Sequence, residues 1–267
     1  MTTPTIELIY QHGSVREYKP DPVPDALIEE IVAAGQRAST SSNLQTYSVV
    51  ATTDIDKIKQ IQEITGGQKH ITQAPVFLLW CADFSRLKRV CHHQGYEMNV
   101  DHIENFLVGV VDASIASQNT GLAAESLGLG FCYIGAIRNH PRRMIALFQL
   151  PELVFPVFGM TIGWPVTSPL IRPRLPLDVV LHRETYQQDD LDMFLRKRWA
   201  AITMAKDSIE DENARALGII LGTKPGQMRK QLAEELLKTC KEDGRIASII
   251  VMDSIDPMKL RSLGVNV

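Results

Sequence analysis

Two short basic segments are the parts of this 267-residue sequence whose residue types and spacing could hold an anion. The first, His12 to Arg16, reads HGSVR and places three anion-contacting side chains within five residues. The second, Arg172-Pro173-Arg174, carries two guanidinium groups on a stretch stiffened by proline. If the segments converge in the fold, they would hold a phosphate through charge-assisted, bidentate hydrogen bonds. The alternative is that each segment is solvated surface.

No other local motif completes a known site. Residues 128–130 (GLG) lack the third glycine of a dinucleotide-binding loop and follow a helical pattern instead of a strand. Residues 222–226 (GTKPG) follow a strand pattern, but Gln227 stands where a phosphate-binding loop needs lysine. Residues 91–93 (CHH) are interpreted as a polar loop, so we predict no metal site. Without a nucleophile or metal motif, the sequence indicates either cofactor chemistry or no catalysis.

Composition and charge narrow the class of protein. With 45% hydrophobic residues and a net charge of −3, the chain is typical of a folded globular protein. The longest apolar stretches fall well short of the roughly 20 residues that a membrane span needs. The balance of 28 basic and 31 acidic residues argues against a broad nucleic-acid surface. We expect a cytoplasmic protein with reduced cysteines that binds neither nucleic acid nor membrane.

The elements that must position the basic segments alternate between helices and short strands. Periodicity and capping residues predict helices over 24–37, 54–64 and 99–127, and another that begins at Asn139 and Pro141. Apolar runs predict strands over 47–51, 75–81, 131–134 and 154–162. The last strand lies at a sheet edge or has Pro156 near its start. The 99–127 helix is apolar or small nearly all round, which favours burial by a second subunit over a central place in a monomer.

The composition changes after a predicted helix over residues 189–206. Residues 217–260 follow a strand–helix–strand–helix pattern that is typical of a βαβ unit. Such a piece of about 55 residues is marginally stable alone. We therefore divide the chain into residues 1–190, a helical linker over 191–212, and a small βαβ appendage over 213–267.

Seven segments in register resemble the FMN-dependent nitroreductase family, specifically its oxygen-insensitive NADPH nitroreductase and flavin reductase branch. They are HGSVR (12–16), STSSNLQ (39–45), TGGQKH (65–70), LVGVVD and QNTGLAAE (within 107–125), LGLGFCYIGAIR (127–138), FGMTIGWP (158–165) and RPRLP (172–176). The resemblance covers about residues 5–187. It implies an α+β fold in which helices flank a mixed sheet. It also implies a homodimer with the long helix at its core and FMN at the subunit interface.

The same resemblance implies which residues bind FMN, and it names no catalytic residue. His12, Ser14 and Arg16 should hold the cofactor, with Arg16 near its phosphate or ribityl end, and Arg172 and Arg174 should join the phosphate grip. Thr40 and Ser41 should lie near the flavin, and Gln68 should reach the pyrimidine edge of the ring. Tyr133, Ile134, Gly135 and Ala136 should pass along the ring, with a backbone N–H of Gly135 or Ala136 aimed at flavin N5.

The implied activity is that of an NAD(P)H-dependent oxidoreductase. A hydride passes from NADPH or NADH to bound FMN, and two electrons then pass from the same open face to a small oxidant, in ping-pong turnover. Nitroaromatics, quinones and free flavins are the expected oxidants. Two alternatives stay open: a flavin or ferric reductase that holds FMN loosely as a substrate, and a non-catalytic flavin-binding protein disabled by a replaced tail.

The sequence departs from the family pattern at two places. Gly13 stands where the first motif usually has arginine or another large residue. The tail that should hold the 2′-phosphate of NADPH does not align; residues 196–198 (RKR) are candidates, and a solvated helix face is the alternative. Residues 213–267 instead resemble a fragment of the radical enzyme of diphthamide synthesis, with only Cys240 available as a cluster ligand.

Overall fold

A four-stranded antiparallel sheet is the frame of the fold. The computed structural model describes residues 2–99, 102–172, 174 and 177–187, and the chain divides into two units, Met1–Ile171 and Arg172–Val267. In the first unit the strands are β1 (Tyr47–Thr52), β2 (Val76–Asp83), β3 (Gly130–Ile134) and β4 (Val154–Gly163). Their order across the sheet is β1-β2-β4-β3, and each neighbouring pair is antiparallel. All four strands lie where the apolar runs predict them.

Helices cover both faces of this sheet. In the first unit they are α1 (Pro4–Tyr10), α2 (Asp25–Gly35), α3 (Ile55–Ile64), α4 (Lys69–Gln73), α5 (Ser85–His93), α6 (Ile103–Ser126) and α7 (Pro141–Phe148), with 3₁₀ turns at Ser41–Asn43 and Gly135–Asn139. The described part of the second unit contains one short helix, α8 (Leu177–Val180). The predicted helix over 189–206 and the βαβ appendage over 213–267 lie outside the described residues.

The alternation of side chains along β2 explains why both faces need a cover. Every residue of β2 is buried. Val76, Leu78 and Trp80 pack on one face with residues of α2 and α6, whereas Phe77, Leu79 and Cys81 pack on the other face with α3, α4 and α7. Because successive strand residues point to opposite faces, a continuous apolar run is expected only where both faces are covered.

Pro156 lies in β4, which is an interior strand between β2 and β3. The pairing of β2 with β4 slips between Trp80 and Cys81, so that Trp80 faces Phe158 and Cys81 faces Pro156. Such a bulge tolerates a residue without a backbone N–H. Of the two predicted alternatives, an edge strand is therefore wrong, and a proline near the start of the strand is confirmed.

Helix α6 presents two different faces. Its buried face carries small and polar residues, namely Gly109, Asp112, Ala113, Ala116, Ser117, Thr120, Gly121 and Ala124. Its other face exposes large apolar side chains, namely Ile103, Phe106, Leu107, Val111 and Ile115. The helix begins at Ile103, four residues later than predicted.

Several local predictions differ from the structure. Residues 91–93 lie at the end of helix α5 and do not form the predicted loop. The polar sequence from Ser85 onward forms a helix in which every side chain is at least partly exposed. The cap position of α7 is His140 rather than Asn139, and its side chain makes no capping bond. Asp54, in contrast, caps α3 as predicted, since its side chain accepts hydrogen bonds from the N–H groups of Asp56 and Lys57. Within the described ranges, no helix has the length and apolarity to cross a membrane.

The contact between α6 and β3 gives a test of the fold. A Cβ added to Gly121 would lie 2.5 Å from Cζ of Phe131. In an uncrowded helix, Gly→Ala stabilises by about 1 kcal/mol, whereas overpacking a core costs about 1–3 kcal/mol. We therefore expect Gly121→Ala to lower the free energy of unfolding measured in urea. In a Phe131→Leu background the same substitution should become neutral or stabilising. A gain of stability from Gly121→Ala alone would contradict this packing.

Candidate functional site

The segment His12 to Arg16 lies beside strand β3. The N–H of Val15 donates to the carbonyl of Phe131 at 2.9 Å. Val15 is buried, whereas Ser14 and Arg16 on either side of it are exposed, as expected of extended backbone. Burial raises the pKa of the Cys132 thiol, and the nearby Arg16 charge and a hydrogen bond with Ser14 oppose that rise. Two of the predicted anion-binding side chains thus project next to the middle of β3.

His12 at the start of this segment is held by Glu125 of α6. Nδ1 of His12 and Oε1 of Glu125 lie 2.6 Å apart, and the His12 ring packs on Phe131 with 5.1 Å between centroids. Burial raises the pKa of Glu125, whereas the hydrogen bond and the charge of His12 lower it. When Glu125 is ionised, Nδ1 carries the donated proton, which leaves Nε2 of the ring for a ligand.

Tyr133 of β3 is also tied to α6. Its hydroxyl lies 3.0 Å from Oγ of Ser117, and its ring packs edge-on against Phe131 and Phe158. Burial raises the pKa of Tyr133 above its ordinary value. The phenol therefore stays protonated at neutral pH.

The chain turns directly after β3. Ile134 is buried, and Gly135 and Ala136 begin a 3₁₀ turn that ends at Asn139. The first N–H groups of a helical turn have no partner inside it. Gly135 is exposed, and the absence of a side chain lets a planar ligand approach its peptide closely. A hydrogen bond from the backbone N–H of Gly135 or Ala136 to a flavin ring atom stays a prediction.

The hydroxyl-rich loop, residues 38–43 (ASTSSN), approaches α6 at Asp112. The N–H of Ser41 donates to Oδ1 of Asp112 at 3.0 Å, and the N–H of Thr46 donates to Oδ2 at 3.0 Å. An open pocket of about 350 Å³ lies between this loop and the outer side of α6. Its lining consists of Ser39, Thr40, Ser41, Glu104, Leu107, Val108, Val111, Asp112 and Ile115. Thr40 and Ser41 therefore face an open space bordered by apolar side chains.

Gln68 precedes helix α4, at the turn that ends α3. The side-chain amide of Gln68 donates to the backbone carbonyl of Thr65 at 3.2 Å. The backbone carbonyl of Gln68 accepts from the side-chain amide of Gln62 at 3.3 Å. The described contacts of Gln68 are thus within its own turn. Its reach to a flavin ring stays a prediction.

Arg172 and Arg174 are exposed and belong to the second unit. Nη1 of Arg174 donates to the carbonyl of Arg172 at 2.9 Å. The convergence of these two guanidinium groups with the His12 to Arg16 segment stays a prediction.

Gly13 has a packing reason for its departure from the family pattern. It is buried, and a Cβ added there would lie 2.8 Å from the carbonyl oxygen of Leu170 and from Cβ of Pro169. A larger residue would displace the segment that passes over it. Glycine at this position therefore permits the close approach of Pro169 and Leu170.

The donor set fits FMN. Arg16 offers a guanidinium for a phosphate, Ser14, Thr40 and Ser41 offer hydroxyls, and the turn after β3 offers backbone N–H groups. The joint contact of these groups with one FMN stays a prediction. The described residues contain no group of three His, Cys, Asp or Glu side chains that could hold a metal ion.

Comparison with protein families identifies the family to which the chain belongs. The model described as "Nitroreductase family" matches residues 9–164. The chain belongs to the nitroreductase family. The predicted family is therefore confirmed, and solved structures of similar proteins confirm the predicted α+β fold. The described strands form an antiparallel sheet rather than the mixed sheet that was expected.

Relatives with curated names support this assignment. The oxygen-insensitive NADPH nitroreductase of Salmonella typhimurium is 42% identical over 194 residues, which are 73% of this chain and 79% of that protein. The FMN reductase [NAD(P)H] of Bacillus subtilis is 43% identical over 189 residues, 70% of this chain and 76% of that protein. These matches cover more than two thirds of each relative.

Solved structures give the same result. NfrA2 of B. megaterium has a TM-score of 0.74 and 34% identity, and the match covers 88% of this chain and 97% of that one. The NADPH:FMN oxidoreductase of Vibrio harveyi, solved in complex with NAD⁺, has a TM-score of 0.70 and 33% identity over 92% of this chain and all of that one.

A second family model matches the end of the chain. It is described as "Putative diphthamide synthesis protein" and matches residues 162–267. This supports the resemblance predicted for residues 213–267, and it begins farther upstream than that prediction. Most of the matched segment lies outside the described residues.

Three polar residues of α6 that hydrogen-bond to segments of the predicted site were not among the predicted residues. Asp112, Ser117 and Glu125 contact the hydroxyl-rich loop, Tyr133 and His12, respectively. All three lie on α6, whose role was predicted from the spacing of its apolar residues alone. The available signal was the presence of a carboxylate, Asp112, directly after the apolar run LVGVV.

The Glu125–His12 pair gives a prediction about pH. Because burial raises the pKa of Glu125, the folded state binds its proton more tightly than the unfolded chain does. The stability contributed by this proton is complete below the ordinary glutamate pKa and is lost as pH rises through the raised value. We expect the free energy of unfolding of the wild type, relative to Glu125→Gln, to fall with rising pH across that window.

His12→Phe provides the control, because it keeps a ring on Phe131 and removes the hydrogen bond that lowers the pKa of Glu125. In this variant the fall should move to higher pH. Urea unfolding at a series of pH values measures both effects. A wild-type difference that is flat with pH would show that Glu125 does not titrate as described.

Proposed function

We propose that this protein is an NAD(P)H-dependent oxidoreductase with FMN as its bound cofactor. The observation that carries the proposal is the arrangement around β3, where Arg16, Ser14 and the turn at Gly135 offer a cation, a hydroxyl and backbone donors along one strand. The predicted enzyme class and cofactor agree with the names of the relatives, which include NADPH nitroreductase, FMN reductase and NADPH-flavin oxidoreductase.

In this proposal the protein binds and orients, and bound FMN supplies the acceptance of a hydride and the delivery of two electrons. Arg16 and Ser14 hold the phosphate and ribityl end, assisted by His12 through Nε2 and by Arg172 and Arg174. The N–H groups of Gly135 and Ala136 donate to the ring.

The remaining contacts of the ring come from other segments. Tyr133 and Ile134 pass beside the ring, Gln68 contacts its pyrimidine edge, and Thr40 and Ser41 border the open face. No side chain is assigned as a dedicated acid or base. Small oxidants such as nitroaromatics, quinones or free flavins are the electron acceptors in this proposal.

The active form in this proposal is a homodimer. Ile103, Leu107, Val111 and Ile115 recur every four residues on α6 and are 73%, 51%, 51% and 41% exposed. Such a patch favours a second copy of the chain as its cover. The pocket beside Thr40 and Ser41 opens onto this same face. A second copy would thus close one wall of the cofactor site.

The cytoplasm is the proposed location. Within the described residues, Cys81, Cys91 and Cys132 are unpaired thiols. Reduced thiols are the rule in cytoplasmic proteins.

The anaerobic reduction of the purified full chain tests the function. After addition of FMN and removal of free flavin by gel filtration, the visible flavin absorption should persist with the protein and bleach when NADPH or NADH is added. The faster donor identifies the nicotinamide preference. FMN that separates from the protein during gel filtration, but is reduced when free FMN and the nicotinamide are added to the protein together, would favour the flavin reductase alternative. Bound flavin that neither donor bleaches would favour a binding protein without catalysis.

The phosphate role of Arg16 has its own test. A charge-assisted hydrogen bond contributes about 1.5–3 kcal/mol, so Arg16→Gln should weaken FMN binding by about 10- to 100-fold. Riboflavin, which lacks the phosphate, should bind wild type and variant alike, as measured by quenching of flavin fluorescence. Arg89→Gln, which removes an exposed arginine of α5, is the control of equal charge and should leave both affinities unchanged. An equal loss for FMN and riboflavin would remove Arg16 from the phosphate site.

A further inference from the structure

Asp112 is a carboxylate on the buried face of helix α6. Its residue is 1% exposed. Oδ1 accepts the N–H of Ser41 at 3.0 Å, and Oδ2 accepts the N–H of Thr46 at 3.0 Å and its hydroxyl at 2.8 Å. One side chain thus binds both ends of the segment from Ser41 to Thr46. Burying a carboxylate is unfavourable unless such partners are present.

The segment between these two anchors has an unfavourable backbone. Ser42, Asn43 and Gln45 have positive φ angles of 48°, 56° and 54°. Residues other than glycine adopt this left-handed region rarely, and asparagine tolerates it better than serine or glutamine. Such a conformation persists only where surrounding contacts determine it. The two oxygens of Asp112 supply contacts of this kind at either end.

The helix is shaped to bring Asp112 close to the loop. Gly109 precedes it by three residues on the same face of α6. A Cβ added to Gly109 would lie 2.8 Å from Cβ of Ala82 and 3.3 Å from the carbonyl oxygen of Thr46. That carbonyl accepts the N–H of Asp83 at 2.9 Å, so Thr46 is fixed to β2 as well as to α6. The Thr46 end is therefore rigid, and the Ser41 end depends on Asp112.

Ser41, the first residue of this loop, lines the pocket together with its neighbours Ser39 and Thr40. We propose that Asp112 is a positioning residue, which holds the Ser41–Thr46 loop in its left-handed conformation and thereby places Thr40 and Ser41 for the cofactor. This inference rests on the proposed function, because it assigns Asp112 a purpose at that same site. Asp112 acts through the loop, since both of its oxygens are engaged by loop residues.

The substitution Asp112→Asn tests this role at one atom. Thr46 donates twice to a single oxygen, so the amide oxygen of asparagine should stay with Thr46. The amide nitrogen then faces the N–H of Ser41, where two donors meet and no hydrogen bond forms. We expect hydrogen exchange in the apo full chain to rise about tenfold in peptides that span residues 39–46. The dissociation constant for FMN should also rise about tenfold, as expected for the loss of one charged hydrogen bond.

A matched control is available at Asp54. Oδ1 of Asp54 also accepts two backbone N–H groups, those of Asp56 at 2.9 Å and Lys57 at 3.2 Å. Asparagine caps helices as well as aspartate does. Asp54→Asn should therefore leave both the loop exchange and the FMN affinity at wild-type values, although it removes the same charge.

A second pair of variants covers the case in which Asp112→Asn does not fold. Ser41→Pro removes the hydroxyl and also the N–H that Asp112 accepts, and proline suits the first position of a helical turn. Thr40 has φ −133° and ψ 154°, a conformation that residues before proline favour. Ser41→Ala removes the hydroxyl and keeps the N–H. Ser41→Pro should weaken FMN binding beyond the effect of Ser41→Ala.

The outcomes separate this inference from the proposed function. If the wild type binds FMN and Asp112→Asn binds it equally well, or if its loop exchange is unchanged, Asp112 is not a positioning residue. Equal FMN affinities of Ser41→Pro and Ser41→Ala would overturn the inference in the same way. If the wild type itself does not bind FMN, the proposed function fails first, and the inference fails with it.

Discussion

The packing of helix α6 against the sheet is the constraint on which the rest of the site depends. The buried face of α6 has small residues where the sheet approaches closely, as at Gly121 against Phe131. The helix also carries polar residues that hydrogen-bond to other segments of the predicted site. Asp112 holds the hydroxyl-rich loop, Ser117 holds Tyr133, and Glu125 holds His12. Three segments that are far apart in the chain are thereby fixed to one rigid element.

The same helix connects the site to the molecular surface. Its outward face exposes Leu107, Val111 and Ile115, and these side chains also line the pocket beside Thr40 and Ser41. A partner that covers the exposed face would exclude water from the pocket, which strengthens polar contacts inside it. Assembly and cofactor binding are therefore two consequences of one surface in this account. This also explains why a helix with an already well-packed inner face keeps large apolar residues outside.

Much of the fold was predictable because its signals are local. The run PVFLLWC indicated a strand covered on both faces, and Asp54 indicated the start of a helix. Helix α5 was missed because its sequence, SRLKRVCHH, buries no side chain fully and has only a short apolar stripe at Leu87, Val90 and Cys91 to reveal it. Pro156 could not be assigned to an interior strand, because the bulge opposite it depends on the pairing with Trp80 and Cys81. Pairing across strands is a tertiary property that spacing does not encode.

The site was predictable to a different extent. The resemblance to the family identified HGSVR and the segment through Tyr133 and Gly135, and the structure brings them together along β3. The contacts of Asp112 and Glu125 were not predicted, although both residues lie in segments that resemble the family, because spacing along the chain does not reveal their partners. Their partners lie 66 and 113 residues away in the chain. The position of Arg172 and Arg174 relative to this site also depends on long-range contacts and stays a prediction.

The central claim is that the cofactor site is complete only when a second copy covers α6. Sedimentation velocity of the full chain with FMN tests it most directly, with protein and flavin absorption recorded together over a dilution series. We predict that flavin sediments with the dimer and is released as dilution produces monomer. Flavin that sediments with the monomer as readily as with the dimer would contradict the account.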